Sequence, residues 1–266
     1  MRIAIAQMSV KQGEFETNLQ KADTLAQKAK EQCADLILFP EMFVCGFNYR
    51  KNIEFVSSKQ QLLLDKLSAI AKQHRIWLAG SIPFLDTTNT KPYNRFLLID
   101  DNGNEVAHYD KIHLFSLFKE DKYSAFGENA VVVETKFGKI GFAICYDLRF
   151  AEQFSALAEH GAKIILLSAA WPYPRLKHWE ILLKARAIEN QIFIVATNQC
   201  GVENFTLNKV EYFGASQIID AWGESIADCG ICNPDALAIA DINLSTIEDA
   251  RVKIPASKDR RRIVVA

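Results

Sequence analysis

Glycine and proline are scarce here, 12 and 7 in 266 residues, and their scarcity excludes collagen-like and low-complexity structure. Charge of one sign is missing too. Lys and Arg number 31 and Asp and Glu 32, for a net charge of −1, and the two signs are mixed along the chain. That pattern speaks against a nucleic-acid binder, which shows a basic excess on one face. The one basic cluster, Arg260, Arg261 and Arg262, reads as a solvated or locally paired tail. No apolar run approaches the roughly 18 residues of a membrane span, so no membrane partner is expected. The opening MRIAIAQMSV has a short apolar stretch interrupted by Gln7, which does not read as a signal peptide, and the expected location is cytoplasmic. Six cysteines are too few and too scattered for a disulfide framework. Cys33 is expected in the core. Cys229 and Cys232 form a CxxC, but no second CxxC or HxxxH completes a zinc site, so they read as two ordinary thiols at a strand connection. The motifs GxGxxG, P-loop, HExxH and GxSxG are all absent, which leaves nucleotide, zinc-protease and serine-hydrolase readings without their residues.

What is present is ample apolar sequence, 49% of residues, enough to offset chain entropy. No repeat or linker divides the chain, which reads as a single domain over 1–266. Alternation predicts a strand at 2–8. Apolar residues at helical spacing predict helices at 16–33 and 60–74, with strands at 35–39 and 76–82. A β-α-β-α-β opening suggests a layered α/β fold. Strands follow at 95–100, 105–109, 131–135 and 139–144, the first two joined by a hairpin turn at Asn102-Gly103. Then come a helix at 149–160, a strand at 163–168, a helix at 177–190 and a strand at 192–197. Strands at 212–219, 224–227 and 237–242 and a helix at 244–253 close the chain.

Three reactive side chains stand at predicted strand ends, where layered α/β proteins place ligands. Glu41 follows Pro40 in LILFPEMF. Lys111 lies among apolar neighbours in HYDKIHLF, where a lysine is desolvated. Cys145 lies in KIGFAICYDLRF at a strand-to-helix turn, whose amides would favour thiolate. Taken singly, each also fits a plain structural reading: a solvent-exposed loop glutamate, a surface lysine, a buried thiol.

In this order FPEMF, YDKIHLF and ICYDLRF resemble the three signature segments of the nitrilase superfamily, the carbon–nitrogen hydrolases. The resemblance extends through RIAIAQM, KHWEILLKARAIENQIFIVATNQCG and the closing WGE. AAWPYPRLKHW followed by ARAIENQ is most similar to the omega-amidase branch. The resemblance implies a four-layer α-β-β-α sandwich, association across a two-fold axis as a homodimer, and no metal or organic cofactor. It implies Glu41, Lys111 and Cys145 as the catalytic residues. A second catalytic glutamate belongs seven residues before a glycine. Glu120 with Gly127 fits, although FSLFKEDKYSAF departs from many amidases, and Glu128 is the alternative.

The implied chemistry is hydrolysis of the amide of a small carboxylated substrate with release of ammonia, through a thioester. Glu41 serves as base, and Lys111 with the Tyr146 N–H stabilises the oxyanion. The alternatives within the family are N-carbamoyl amine or acid hydrolysis and deaminated glutathione cleavage. From other classes come an idle interaction module and a thiol redox protein built on Cys229 and Cys232. Arg149, four residues after Cys145, is the first residue expected on the substrate carboxylate, since a guanidinium forks onto a carboxylate, and Arg175 is the second. An ion pair of Arg149 with Asp147 or a glutamate is the structural alternative. Trp171, Phe47 and Phe115 are expected as pocket walls, His178 and Trp179 as structural, and His113 as a neighbour of Lys111.

Overall fold

The computed structural model describes residues 1–87, 89–204 and 209–261. The first half runs β1 (Arg2–Gln7), α1 (Phe15–Glu31), β2 (Leu36–Leu38), α2 (Tyr49–His74), β3 (Trp77–Phe84), β4 (Tyr93–Ile99), β5 (Glu105–Asp110) and the short α3 (Glu120–Tyr123). The second runs β6 (Val132–Thr135), β7 (Gly138–Ile144), α4 (Ala151–Glu159), β8 (Ile164–Ala169), α5 (Leu176–Asn190), β9 (Phe193–Asn198), β10 (Cys200–Asn204), β11 (Lys209–Phe213), β12 (Gln217–Ile219), β13 (Ser225–Asp228), β14 (Ala236–Asp241), α6 (Ser245–Lys253) and α7 (Ala256–Asp259).

Two six-stranded sheets form, in the orders β14-β1-β2-β3-β4-β5 and β13-β12-β9-β8-β7-β6. The parallel pairs β1–β2–β3 and β7–β8–β9 are those with a helix between their strands, and the Asn102-Gly103 turn joins an antiparallel β4–β5 pair. Alternation sorts the side chains of β1 into two cores. Ile3 and Ile5 join Leu36, Leu38, Phe96 and Leu98 in the cluster shared with the second sheet. Ala4 and Ala6 pack instead with Leu19, Ala22, Leu25 and Ala26 of α1. The Phe96 and Phe142 rings stack at 4.9 Å from β4 to β7, one seam of the sandwich. Helices α4 and α5 cover the second sheet through Phe154, Leu157, Leu183 and Ala187, completing the α-β-β-α layers.

Several features differ from expectation, and α3, β10 and α7 were not expected at all. Helix α2 begins at Tyr49, because the Asn48 side chain caps it, accepting from the Lys51 N–H at 3.2 Å. The expected strand at 212–219 breaks after Phe213, and its halves join different partners, β10 on one side and β9 with β13 on the other. The break follows from Gln7. A Cβ at Gly214 would stand 2.4 Å from its amide carbon, and Gln7 Oε1 accepts from the Ser216 N–H at 2.9 Å. A tight turn over Cys145–Arg149 precedes α4. Cys33 is exposed, not core, because it sits past the last turn of α1 at φ 62°.

Cys229 is buried and Cys232 exposed, both free thiols between β13 and β14 as read. Arg260 pairs with Glu159 at 3.2 Å, and Arg262 lies outside the described residues. Among the described residues no helix is long and apolar enough to cross a membrane.

Candidate active site

Strands β2, β5 and β7 deliver Glu41, Lys111 and Cys145 just past their C-terminal ends. The two sheets are tied together at this point. Ser168 Oγ donates to the Phe39 carbonyl at 2.7 Å, and the Glu41 N–H to the Ala169 carbonyl at 3.3 Å. Cys145 holds φ 47° and Met42, next to Glu41, φ 50°. Non-glycine residues in that region cost roughly 1–2 kcal/mol each, and they persist only where surrounding contacts enforce them.

The Lys111 ammonium lies 2.8 Å from Glu41 Oε1 and 2.8 Å from Glu120 Oε2, and all three side chains are almost wholly buried. Asn94 Nδ2 donates to Glu41 Oε1 at 2.8 Å and to Glu120 Oε1 at 3.0 Å. Glu120 Oε2 also accepts the Phe115 N–H at 2.7 Å. One ammonium between two carboxylates leaves a buried negative charge in excess. Burial first, and Glu120 as a like charge, push the Glu41 carboxyl above its ordinary 4.5, although Lys111 pulls it down. Burial alone would lower Lys111, but Glu120, Glu41 and Cys145 outweigh it and hold the ammonium well above its usual value.

The Cys145 thiol is pushed well up by burial and by Glu41. Lys111 and the Ala170 N–H oppose this and lose. The pull of the turn amides toward thiolate is outweighed, and the thiol needs a base, the role expected of Glu41. Among the described residues Glu41 Oε2 has no oxygen or nitrogen donor against it, and Cys145 and Glu41 interact strongly enough to shift each other's ionisation.

Two features hold the segments in register. Asp147, fully buried, accepts from Tyr109 Oη at 2.7 Å, the Ile144 N–H at 2.8 Å and the His113 N–H at 3.2 Å, with His113 Nδ1 at 2.8 Å. One carboxylate thus fastens the Lys111 segment to the Cys145 segment. Gly127 passes so close to β5 that a Cβ would stand 1.9 Å from the Asp110 carbonyl oxygen, and its N–H donates to the Lys111 carbonyl at 2.9 Å. That close approach fixes the interval from Glu120 to Gly127. Glu128 is exposed, and the ion pairs of Lys111 among the described residues go to Glu41 and Glu120.

Above Cys145 lies a narrow cavity of about 20 Å³ lined by Phe115, Tyr146, Arg149, Ala170, Trp171, Pro172 and Arg175. The Arg149 guanidinium lies over the Trp171 ring at 4.6 Å, with Nη2 3.3 Å from His178 Nδ1. Arg175 lies 5.8 Å over Phe115. Neither arginine has a carboxylate partner among the described residues, which removes the ion pair weighed for Arg149. A narrow pocket rimmed by two unpaired guanidinium groups thus lies beside a thiol and a buried carboxylate, groups that can carry out acyl transfer. No group of three His, Cys, Asp or Glu side chains among the described residues is placed to hold a metal ion.

The carbon–nitrogen hydrolase family model matches residues 2–252. The chain belongs to the carbon–nitrogen hydrolase family. Among its relatives is the nitrilase and fragile histidine triad fusion protein NitFhit of Caenorhabditis elegans, 32% identical over 271 residues. The match takes in 97% of this chain but only 60% of that protein, so this carbon–nitrogen hydrolase spans less than two thirds of it. Their folds agree with a TM-score of 0.89 over 98% of this chain and 65% of the other. The 2-oxoglutaramate amidase of Bacillus subtilis (strain 168) is 33% identical over 261 residues, covering 98% of this chain and 97% of that one. A Glu-to-Gln mutant of the amidase from Nesterenkonia sp. AN1, carrying acrylamide added at its active-site cysteine, superposes with a TM-score of 0.84. It is 27% identical, over 97% of this chain and 99% of that one.

The structure gathers Glu41, Lys111, Glu120 and Cys145 into one cluster, and Tyr146, Arg149, Trp171 and Arg175 around one cavity. Phe115 lines that cavity, and Phe47 a neighbouring one. Trp179 is structural, donating to the Ala215 carbonyl at 2.8 Å, whereas His178 stands at the pocket mouth beside Arg149. His113 serves Asp147 rather than Lys111. Sequence reading missed Asn94, and it paired Asp147 with Arg149 rather than with Tyr109 and His113. The usable signal for Asn94 was a polar pair, Asn94-Arg95, inside an apolar strand.

Behind the Glu41 turn, Glu203 is buried and accepts from Tyr212 Oη at 3.2 Å and Gln199 Nε2 at 3.3 Å. Burial pushes its carboxyl up to about 7, against those two donors. A raised folded-state value stabilises below the unfolded value near 4.5, and that stabilisation is lost as pH rises through about 7. Glu203→Gln is therefore expected to gain about 3 kcal/mol at pH 8 relative to its effect at pH 4.5. Urea unfolding at both pH values checks this; equal differences at the two would show that Glu203 ionises freely.

Proposed function

We propose that this carbon–nitrogen hydrolase cleaves the terminal amide of a small dicarboxylic acid monoamide, releasing ammonia through a thioester on Cys145. The observation that carries the reading is the geometry: the buried Cys145 thiol lies beside Glu41, whose Oε1 is held by Lys111 and Asn94 at 2.8 Å each. Glu41 takes the thiol proton and sulfur attacks the amide carbon. Lys111 releases one of its N–H bonds from Glu120 and, with the Tyr146 N–H, stabilises the oxyanion. Glu41 returns the proton to nitrogen, the C–N bond breaks and ammonia leaves. Glu41 then deprotonates water, which opens the thioester.

Arg149 and Arg175 at the mouth fit the distal carboxylate of the substrate. Arg149→Ala is expected to lower kcat/KM for carboxylated amides by roughly thirtyfold to several thousandfold, the cost of an unpaired buried charge of about 2–5 kcal/mol. Neutral amides should lose little, and Arg149→Lys should recover only part, because an ammonium lacks the fork. Equal losses on both substrate types would assign Arg149 to the fold. The reading as a whole is tested by an ammonia-release screen over ω-amides and N-carbamoyl compounds. Carbon dioxide released with the ammonia would replace it with carbamoyl hydrolysis.

The reading takes 1–266 as one hydrolase unit in the cytoplasm, a location that six unpaired thiols support. It also takes the working form as a homodimer. Ile181 and Ile188 are exposed on one face of α5, and Ile188 abuts Gly223. Beside them Lys253 lies over the Trp222 ring, flanked by exposed Val252 and Ile254. That apolar face suits a second copy of the chain, and sedimentation mass decides it.

A further inference from the structure

We propose that Asn94 is a positioning residue that keeps the proton taken from Cys145 on Glu41, by standing between the two buried carboxylates while Lys111 turns to the oxyanion. This rests on the thioester reading and deepens it, from the residues that react to the one that decides where the proton waits.

Asn94 enters the site from β4 and is fully buried. Its backbone carbonyl accepts the Lys111 N–H at 3.0 Å, so the residue is fixed to the strand end that carries the ammonium. Its side chain meets two carboxylate oxygens, Glu41 Oε1 at 2.8 Å and Glu120 Oε1 at 3.0 Å. A carboxylate accepts, so the amide faces both with its NH2. Oδ1 is then left buried, without a donor among the described residues. That unmet acceptor carries a penalty, which two charge-assisted bonds offset.

The donors on each oxygen determine where a proton can rest. The Lys111 ammonium directs its N–H groups at Glu41 Oε1, 2.8 Å away, and at Glu120 Oε1 and Oε2, 3.0 and 2.8 Å away. Glu120 Oε2 takes a second donor, the Phe115 N–H at 2.7 Å. Asn94 supplies the second donor to each Oε1. About two donors fill the lone pairs of one oxygen. Three of the four carboxylate oxygens are therefore filled, whereas Glu41 Oε2 has no nitrogen or oxygen donor among the described residues.

The balance changes as the reaction proceeds. Sulfur bonds to the amide carbon, its proton passes to Glu41 Oε2, and Lys111 moves one N–H from Glu120 to the oxyanion. When that N–H leaves Glu120 Oε1, the Asn94 amide is the donor that remains there. Without it, Glu120 Oε1 would stand bare across from Glu41 and take the proton. The C–N bond breaks once nitrogen is protonated, so a proton moved to Glu120 stalls the step. A serine or histidine at this position could relay a proton between the carboxylates; an amide donates twice and does not titrate. In the productive step the proton goes from sulfur to Glu41 to nitrogen, the S–C bond forms, the C–N bond breaks and ammonia leaves.

The experiment compares two substrates with one acyl group, glutaric monoamide and the S-methyl monothioester of glutaric acid. Methanethiolate leaves without a proton, whereas ammonia needs one. Asn94→Ala is expected to lower kcat/KM for the monoamide at least about tenfold and for the thioester by less than about threefold. The acid limb of kcat/KM should move to higher pH, because Glu41 has lost a donor. Asn94→Asp, which keeps the shape and lacks both N–H groups, should show the same bias and decides the matter if the alanine variant does not fold. In Glu120→Gln, where no second carboxylate can take the proton, adding Asn94→Ala should change the amide-to-thioester ratio by less than about threefold. Equal losses on both substrates, or an unmoved acid limb, would assign Asn94 to the fold and overturn the proposal. Unchanged monoamide turnover in Asn94→Ala would overturn it too and leave the thioester reading standing. Wild type inactive on both substrates would remove that reading, and this role with it.

Discussion

Cys145→Ala is expected to leave no measurable amide turnover, a loss on the order of 10⁴-fold or more, while the protein keeps its fold. The side chain is buried at the end of β7, and its removal deletes one sulfur from a wall otherwise held by Asp147 hydrogen bonds. Stability should therefore change little and chemistry completely. Alkylation gives an independent measure. Cys33 and Cys232 are exposed and should react with iodoacetamide first, without loss of activity. Cys45, Cys200 and Cys229 are buried, and burial raises each thiol, so they should react slowly. Inactivation should follow labelling at Cys145 alone, by mass spectrometry of the digested protein. Full activity after complete labelling there would sink the thioester route.

Glu41→Gln should cost at least about a hundredfold in kcat, the usual loss of a general base, and Lys111→Ala a similar factor as an oxyanion donor is lost. The pH profile has a definite sign. Glu41 acts as a carboxylate, and its carboxyl is raised above 4.5 chiefly by burial. Activity should fall as pH drops through that raised value, so the acid limb of kcat/KM lies above 4.5. It belongs to the coupled cluster rather than to Glu41 alone. Glu120→Gln removes the like charge from Glu41, so the acid limb should move to lower pH while kcat falls, because Lys111 loses a counter-charge. An unmoved limb would mean that Glu120 holds Lys111 but does not tune the base.

Some of this was legible from local sequence. Ile3 and Ile5 against Ala4 and Ala6 already state which face of β1 meets which layer, because side chains in a strand alternate. Glu41, Lys111 and Cys145 stood out because each follows an apolar strand directly, within segments that resemble a known family. Other features depend on residues far apart in the chain. Asn94 reaches Glu41 and Glu120, which lie 53 and 26 positions away, only because β4 lies between β3 and β5. Asp147 looked like a partner for Arg149 two residues on, yet the tight turn aims it at Tyr109 and His113 instead. At Cys145 the turn amides favour thiolate, whereas burial and Glu41, which come from other parts of the chain, raise the thiol well above its usual value. The sequence by itself determined the layers, the strand ends and the residue types at them, because periodicity and turn chemistry act over a few residues. Only the tertiary structure decided which charges share one buried space, which arginines stay unpaired and where a second cavity opens. Those depend on how two sheets stack, and desolvation is a property of the whole packed assembly.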